Sequence, residues 1–330
     1  MHALVTGATG LIGSNLVPIL IEQGYKVRAF VRDPEKAKLF LNDDVEIYTG
    51  HLNDEKAIET ALKGCRFLFH LAADYRLWVP DPQSMYLTNV DGTRLLMEKA
   101  LEAGIQRIVY TSSVCTLGCR SDGIPANEEL VSNLKDMISP YKKSKFLAEK
   151  AVSRMVRENG LPAVIVNPST PVGPGDSRPT PTGSMILGTA RDGGRFYADT
   201  GLNIAHVQDI ARGHLLALEK GTIGRRYILG GDNLHLKELF KITAKAAGMP
   251  GPIYKIPTAA LYPIAVISEF LANLNLIKEP AATLDSIRMA SKIMFYSSKR
   301  AETELGYTHR PAIEAVEDAI RWFRENGMLD

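Results

Sequence analysis

Only three cysteines, Cys65, Cys115 and Cys119, occur among 330 residues. An odd count without metal-ligand spacing argues against a disulfide-built scaffold or a zinc site, and predicts reduced thiols in a cytoplasmic setting. No charge of one sign dominates, since 39 basic residues stand against 37 acidic ones for a formal net charge of +2. That balance gives no electrostatic case for a nucleic-acid partner. Long apolar runs are missing too. The nearest approach, "AALYPIAVI" over 259–267, stops at Ser268 and Glu269, so no transmembrane segment is expected. Met1 leads almost directly into a strand pattern, which predicts no signal peptide. What is present is a chain 45% hydrophobic, enough for one large domain or two modest ones.

The first half alternates short apolar runs with helical patterns. "HALVT" (2–6), "YKVRAFV" (25–31), "VEIYTG" (45–50), "RFLFHLA" (66–72), "QRIVYTS" (106–112) and "PAVIVN" (162–167) read as strands. Amphipathic stretches at 11–24, 54–64 and 84–104 lie between them. Near-continuous apolar strands separated by helices predict a parallel sheet covered on both faces, a doubly wound α/β domain. After residue 167 the rhythm breaks. "NPSTPVGPGDSRPTPTG" (167–183) reads as a long ordered loop of the kind that often carries function. "IARGHLLALEK" (210–220) and "RRYILGG" (225–231) look like a return to the sheet, and the chain is mostly helical beyond 232. The expected division is 1–167 plus about 204–231 for a nucleotide-binding domain, and about 168–203 plus 232–330 for a smaller substrate domain.

The first strand runs straight into "TGATGLIG" (6–13), with Gly7, Gly10 and Gly13 in G-x-x-G-x-x-G spacing and a helix starting at once. A pyrophosphate needs a tight turn, no Cβ atoms in its way, and free N–H groups aimed at it. The turn from Gly7 through Thr9 to Gly13 therefore predicts dinucleotide binding. The second strand ends on Val31, followed by Arg32 and Asp33. An acid at that edge holds ribose hydroxyls and selects NAD, whereas an arginine accepts a 2′-phosphate. Arg32, helped by Arg28 or Lys38, favours NADP over NAD; Asp33 is the competing reading.

"SPYKKSKFLAEK" (139–150) sets Tyr141 four residues before Lys145. By itself that is an ordinary neighbour pair on a helix face. In company with the glycine turn and "YTSS", the pair resembles the extended short-chain dehydrogenases/reductases, and the resemblance covers the whole chain. "LFHLAADY" (68–75), "NVDGT" (89–93), "NPSTPVGP" (167–174) and "HVQDIARGH" (206–214) belong to it. "VRAFVRDP" (27–34) is similar to the dihydroflavonol reductases. "AADYRLWVPDP", "VNPSTPVGPGD" and "PTPTG" together look like the bacterial hopanoid-associated sugar epimerase family.

The resemblance implies a Rossmann-type fold with a mostly helical C-terminal substrate domain. It makes Tyr141 the general acid/base, Lys145 its partner and Ser113 the group that holds the substrate oxygen. A free tyrosine titrates near 10, and a nearby ammonium favours the phenolate, so Lys145 is expected to lower the Tyr141 pKa. Leu11 and Ile12 would present backbone N–H groups to the pyrophosphate. Leu52 would flank the adenine, Ala72 and Ala73 would line the cofactor, and Pro168 would lie by the nicotinamide. Asn89 is either an active-site asparagine or a buried amide bonded to backbone. Tyr75, Ser113 and Thr170 are the substrate-side candidates. His51 departs from the usual aspartate. His70, His206 and His214 lack metal spacing and read as packed or capping residues, so no metal is expected.

Two readings share the same hydride chemistry. The first is an NAD(P)-dependent reductase or dehydrogenase acting on an apolar ring alcohol or ketone, like the dihydroflavonol or 3β-hydroxysteroid enzymes. The second is a nucleotide-sugar epimerase with tightly bound NAD, to which Arg178, Arg191 and Arg195 could offer diphosphate contacts. A cofactor-binding protein without turnover is a third, minor reading. "TAALYPIAVISEFLANLNLI" (258–277) reads foremost as core packing, with an apolar substrate or a peripheral membrane contact as the other readings. Related proteins imply a homodimer through about 84–104 and 141–158.

Overall fold

The computed structural model describes the chain apart from residues 77, 121, 275, 278, 279 and 281. The first half runs β1 (His2–Thr6), α1 (Leu11–Glu22), β2 (Lys26–Val31), α2 (Pro34–Lys38), β3 (Glu46–Thr49), α3 (Glu55–Leu62) and β4 (Phe67–His70). It continues through α4 (Gln83–Tyr86), a π-helical turn (Leu87–Asp91), α5 (Gly92–Glu102), β5 (Arg107–Thr111), α6 (Pro140–Asn159) and β6 (Ala163–Pro168). Side-chain caps start three of these helices. Asp33 accepts from Lys36 N, Asp54 from Ala57 N and Ser139 from Lys142 N. Each cap satisfies an N–H that the helix leaves unpaired.

The second half holds β7 (Thr170–Val172), α7 (Pro181–Asp192), β8 (Phe196–Tyr197), β9 (Gly201–His206), α8 (Val207–Lys220), β10 (Arg226–Leu229) and β11 (Asp232–His235). Then come α9 (Leu236–Ala247), β12 (Tyr254–Lys255), α10 (Tyr262–Asn273), α11 (Leu284–Ala290), β13 (Ile293–Met294), α12 (Lys299–Leu305) and α13 (Ala312–Glu325). Seven strands form one sheet in the order β10-β6-β5-β4-β1-β2-β3, with every pair parallel. This is the Rossmann-type doubly wound sheet expected from the strand patterns. The order reverses beside β1, and the crevice at that switch point is where such sheets bind ligands.

Alternate strand residues feed two cores. Ala3, Val5, Val27 and Val109 pack under α1 and α8, whereas Leu4, Leu68, Ile108 and Tyr110 pack under α3, α5 and α6. A second sheet, β11-β9-β13 with β7 beside β9, packs on α7, α9 and α13 in a separate cluster. Near the C-terminus the chain returns to the first body, since Ala301 and Leu305 of α12 join the α1 and α8 core.

Two local expectations change. The stretch 167–183 is not one loop: β6 runs through Pro168, β7 follows, and Thr180 already caps α7. Its prolines fit short strand ends and the first turn of a helix, where no backbone donor is needed. The helix expected over 84–104 runs without a gap over 83–102, with a π-helical turn inside it at Leu87–Asp91. Core packing of 258–277 is also overturned. Val266, Ile267 and Phe270 of α10 are 52%, 59% and 61% exposed, and only small residues such as Ala265, Ser268 and Ala272 face inward. An apolar run states that a face is apolar but not what covers it. Residue 275 of that run lies outside the described residues.

Candidate active site

The glycine turn follows from close packing. Gly7 has φ 72°, and a Cβ there would stand 2.7 Å from the Ala72 nitrogen on the neighbouring strand's loop. A Cβ on Gly13 would fall 2.1 Å from the Gly7 carbonyl oxygen, so only glycine lets α1 start this close to β1. No side chain caps α1, and its first turn holds no acidic residue. Its leading N–H groups, around Leu11 and Ile12, are therefore free to meet an anion at the positive end of the helix. A Cβ on Gly10 would stand 3.3 Å from the Gly7 oxygen, a tight contact that favours glycine there too. Thr9, Gly10, Leu11 and Ile12 remain partly accessible.

Beyond the carboxyl end of β5 the chain places Ser113, and α6 brings Tyr141 beside it. Ser139 caps that helix and Pro140 occupies its first turn, which sets Tyr141 at its very start. Burial pushes the Tyr141 phenol above its ordinary range, with Cys115 adding to the rise and a hydrogen bond from Ser113 opposing it. One helical turn on, Lys145 is buried and donates to the Thr111 carbonyl at 2.8 Å. Its ammonium lies 5.1 Å from the centre of the Tyr110 ring, a cation–π contact. Burial lowers the Lys145 pKa to about 8.

The Lys145 ammonium is held by the end of β5, because i,i+4 spacing shares a face without fixing what a long side chain reaches.

A family model described as the NAD dependent epimerase/dehydratase family matches residues 3–230, a span holding the glycine turn, Ser113, Tyr141 and Lys145. This chain belongs to that family. It is 40% identical to a Synechocystis sp. protein provisionally named dihydroflavonol 4-reductase, across 98% of this chain and 95% of that one. Sterol demethylase protein B of Methylococcus capsulatus is 34% identical across the full length of both. The crystal structure of gox2253 is 50% identical, covers 99% of each chain and superposes with a TM-score of 0.87. The chain is thus an NAD(P)-dependent oxidoreductase of the extended short-chain dehydrogenase/reductase superfamily, acting on a small molecule. Among the described residues no helix is long and apolar enough to cross a membrane.

The remaining positions expected to act in this family member fall into two groups. Around the crevice, Ala72 donates its N–H to Thr6 Oγ1 at 3.2 Å, and Ala73 follows it in the same partly open loop. Pro168 is buried at the end of β6, and Leu52 is half-buried against Gly92 of α5. Arg32 is exposed at the end of β2, and its charge reaches Asp74 in the loop after β4. Asp33 is turned away onto α2, where it caps Lys36 N and pairs with the Lys36 ammonium at 3.0 Å.

Other positions serve the scaffold. Arg28 cannot help Arg32, because it is buried, pairs with Glu46 at 3.1 Å and donates to the carbonyls of Ala61 and Lys63. Lys38 pairs with Glu35 at 2.9 Å. Asn89 is the buried amide of the two readings. It accepts from Asp74 N at 2.7 Å and donates to the Asp74 carbonyl and to Ser144. His70 bridges Thr6 and Thr93, His214 joins Thr111 to the Ile210 carbonyl, and His206 caps α8 beside Asp318. On the substrate side, Tyr75 stands where the charges of Asp176 and Arg178 reach its phenol, whose pKa is raised mainly by burial. Thr170 lies in β7, paired with Ile204. Asn15 donates to the Pro174 carbonyl at 2.9 Å and ties the loop after β7 to the first turns of α1.

Glu149 is the residue that sequence reasoning missed. It lies one turn beyond Lys145, and one of its oxygens accepts from Ser112, from Thr116 at 2.8 Å and from Asn167 at 2.9 Å. The i,i+4,i+8 series Tyr141–Lys145–Glu149 was visible as spacing, but its partners sit 18 to 37 residues away in sequence.

Proposed function

We propose that this chain is an NADP-linked reductase or dehydrogenase that moves a hydride at a hydroxyl or ketone carbon of an apolar ring molecule. The observation that carries the reading is that Ser113, just past the carboxyl end of β5, acts on the Tyr141 phenol at the start of α6, on the same sheet whose β1 runs into an uncapped glycine turn. When bound, the nicotinamide supplies or accepts the hydride. Tyr141 holds the proton destined for the substrate oxygen, and Ser113 holds that oxygen in place. Lys145, buried and cationic below about pH 8, keeps positive charge beneath the site, where it would favour the phenolate.

Gly7, Thr9, Gly10, Leu11, Ile12 and Gly13 cradle the pyrophosphate in this reading. Leu52, Ala72, Ala73 and Pro168 line the nucleotide, and Asn89 fixes the loop that carries the alanines. Arg32 takes the 2′-phosphate while Asp33 is committed to capping α2. Two relatives bear names of polycyclic substrates, a dihydroflavonol and a sterol. The exposed apolar face of α10 suits delivery of such a molecule from a membrane surface. Tyr75 and Thr170 sit on the substrate side, with about 168–203 and 232–330 as the substrate-binding unit. A homodimer through α5 and α6 in the cytoplasm completes the picture.

One observation favours the nucleotide-sugar epimerase instead: Arg178 stands close enough to Tyr75 for its charge to act on the phenol, where a substrate diphosphate could be held. Non-catalytic binding is disfavoured because Ser113, Tyr141 and Lys145 are all present. The discriminating experiment incubates the protein with NADPH carrying deuterium at the transferable position and a panel of polycyclic ketones. Deuterium in a product alcohol supports the reductase. Scrambling of a nucleotide sugar at one carbinol centre, with no net use of NADPH, overturns it.

A further inference from the structure

Ser113 is held by the strand end around it. On one side, Ser112 donates its N–H to the Val166 carbonyl at 2.8 Å and its hydroxyl to Glu149. On the other, the Ser113 carbonyl accepts from Asn167 Nδ2 at 3.1 Å, and that same amide donates to Glu149 at 2.9 Å. Thr116 Oγ1 sits 2.8 Å from both the Ser113 carbonyl and the carboxylate. The second Glu149 oxygen faces Arg226 at 3.5 Å. The residue is 6% exposed, and its bonds to Ser112, Thr116 and Asn167 are buried.

A buried carboxylate has a high desolvation cost unless it is fully hydrogen-bonded and paired. This one is satisfied, and its partners are not random core groups. They flank the peptide of the serine that holds the substrate oxygen, while its own helix carries Lys145 one turn back and Tyr141 two turns back. We propose that Glu149 is a positioning residue of the active site, its carboxylate fixing the Ser112–Ser113 peptide against α6 and standing as the counter-charge one helical turn beyond Lys145. The inference rests on the assignment of Tyr141 and Lys145 made above.

The charges around Lys145 agree with that geometry. Burial lowers its pKa to about 8, and Cys115 and Glu149 act in the opposite direction. The Cys115 thiol is itself pushed up by burial, which leaves the carboxylate as the opposing charge at neutral pH. Tyr110 on β5 lies under the ammonium, His70 on β4 is buried within reach of its charge, and Tyr141 precedes it on α6. Arg226 on β10 meets the carboxylate from the far side.

The test is the titration of Lys145, followed through its isotope-labelled Cε resonance in the full-length protein. It needs no turnover, so its failure is separate from failure of the reductase reading. Glu149→Gln keeps the shape and removes the charge. Its Lys145 midpoint is expected to fall by on the order of one unit, as for loss of an opposite charge within a few ångströms. The alkaline limb of kcat should move with it, while KM for the nucleotide changes less than about threefold. Arg226→Met removes the competing cation and should move the midpoint upward. A lower melting temperature with an unmoved Lys145 midpoint would make Glu149 a structural residue only and overturn the proposal. If Glu149→Gln does not fold, an unmoved or lowered midpoint in Arg226→Met overturns it equally.

Discussion

Lys145 donates its ammonium to the carbonyl of Thr111, the last residue of the strand that leads to Ser113. The bond couples the cation on α6 to the strand end that presents the serine. In the proposed reaction, catalysis near neutral pH depends on Lys145 keeping its proton. With its pKa lowered to about 8, turnover should decline above about pH 8 as the ammonium is lost. A kcat profile flat from pH 7 to beyond 9.5 would contradict this, those limits being about one unit below and more than one above that pKa.

Replacing Tyr141 by Phe removes the proton and leaves the ring. Turnover should drop about 100-fold or more, the usual range for loss of a general acid or base. Nucleotide affinity, measured by fluorescence titration, should stay within about threefold.

Arg32→Ala addresses cofactor choice. Loss of one charge-assisted contact to the 2′-phosphate should weaken NADPH binding by about ten- to a hundredfold, corresponding to about 1.5–3 kcal/mol. NADH binding should be nearly unchanged. Equal weakening of both nucleotides would remove Arg32 from phosphate recognition.

Acid stability follows from two buried histidines. Burial lowers the pKa of His70 to about 3 and that of His214 to about 4, against an ordinary value of 6.5. Above about pH 6.5 both are neutral folded or unfolded and add no pH dependence. Below it the unfolded chain binds protons that the folded chain refuses, so stability falls with pH until the folded values are reached. Melting temperature should drop between pH 6.5 and 4, and His214→Gln should make that drop shallower. An unchanged slope would show that His214 is not held neutral.

Packing makes two contrasting predictions. Gly13→Ala puts a Cβ 2.1 Å from the Gly7 oxygen and should cost at least about 1–3 kcal/mol, as overpacking does, read from urea denaturation. Phe270→Ser, on the exposed face of α10, should change stability by less than about 0.5 kcal/mol.

The sheet was legible because its strands are near-continuous apolar runs, from "HALVT" to "PAVIVN", that only a sheet covered on both faces can bury. The glycine turn was legible because Gly7 and Gly13 each answer a local backbone demand. Tyr141 and Lys145 were legible as spacing, but the destination of the ammonium was not, since Thr111 lies 34 residues away. Glu149 was hidden for the same reason. The exposure of α10 was misread because hydrophobicity is a property of residues, and burial is a property of what folds against them.

The most direct measurement is to denature the purified protein and identify by mass any nicotinamide nucleotide it releases. Little nucleotide, or a trace of NADP, is the predicted result, because a reductase exchanges its cofactor each cycle. NAD released in near-stoichiometric amount would mean a cofactor regenerated in place, and would contradict both the NADP assignment and the reductase.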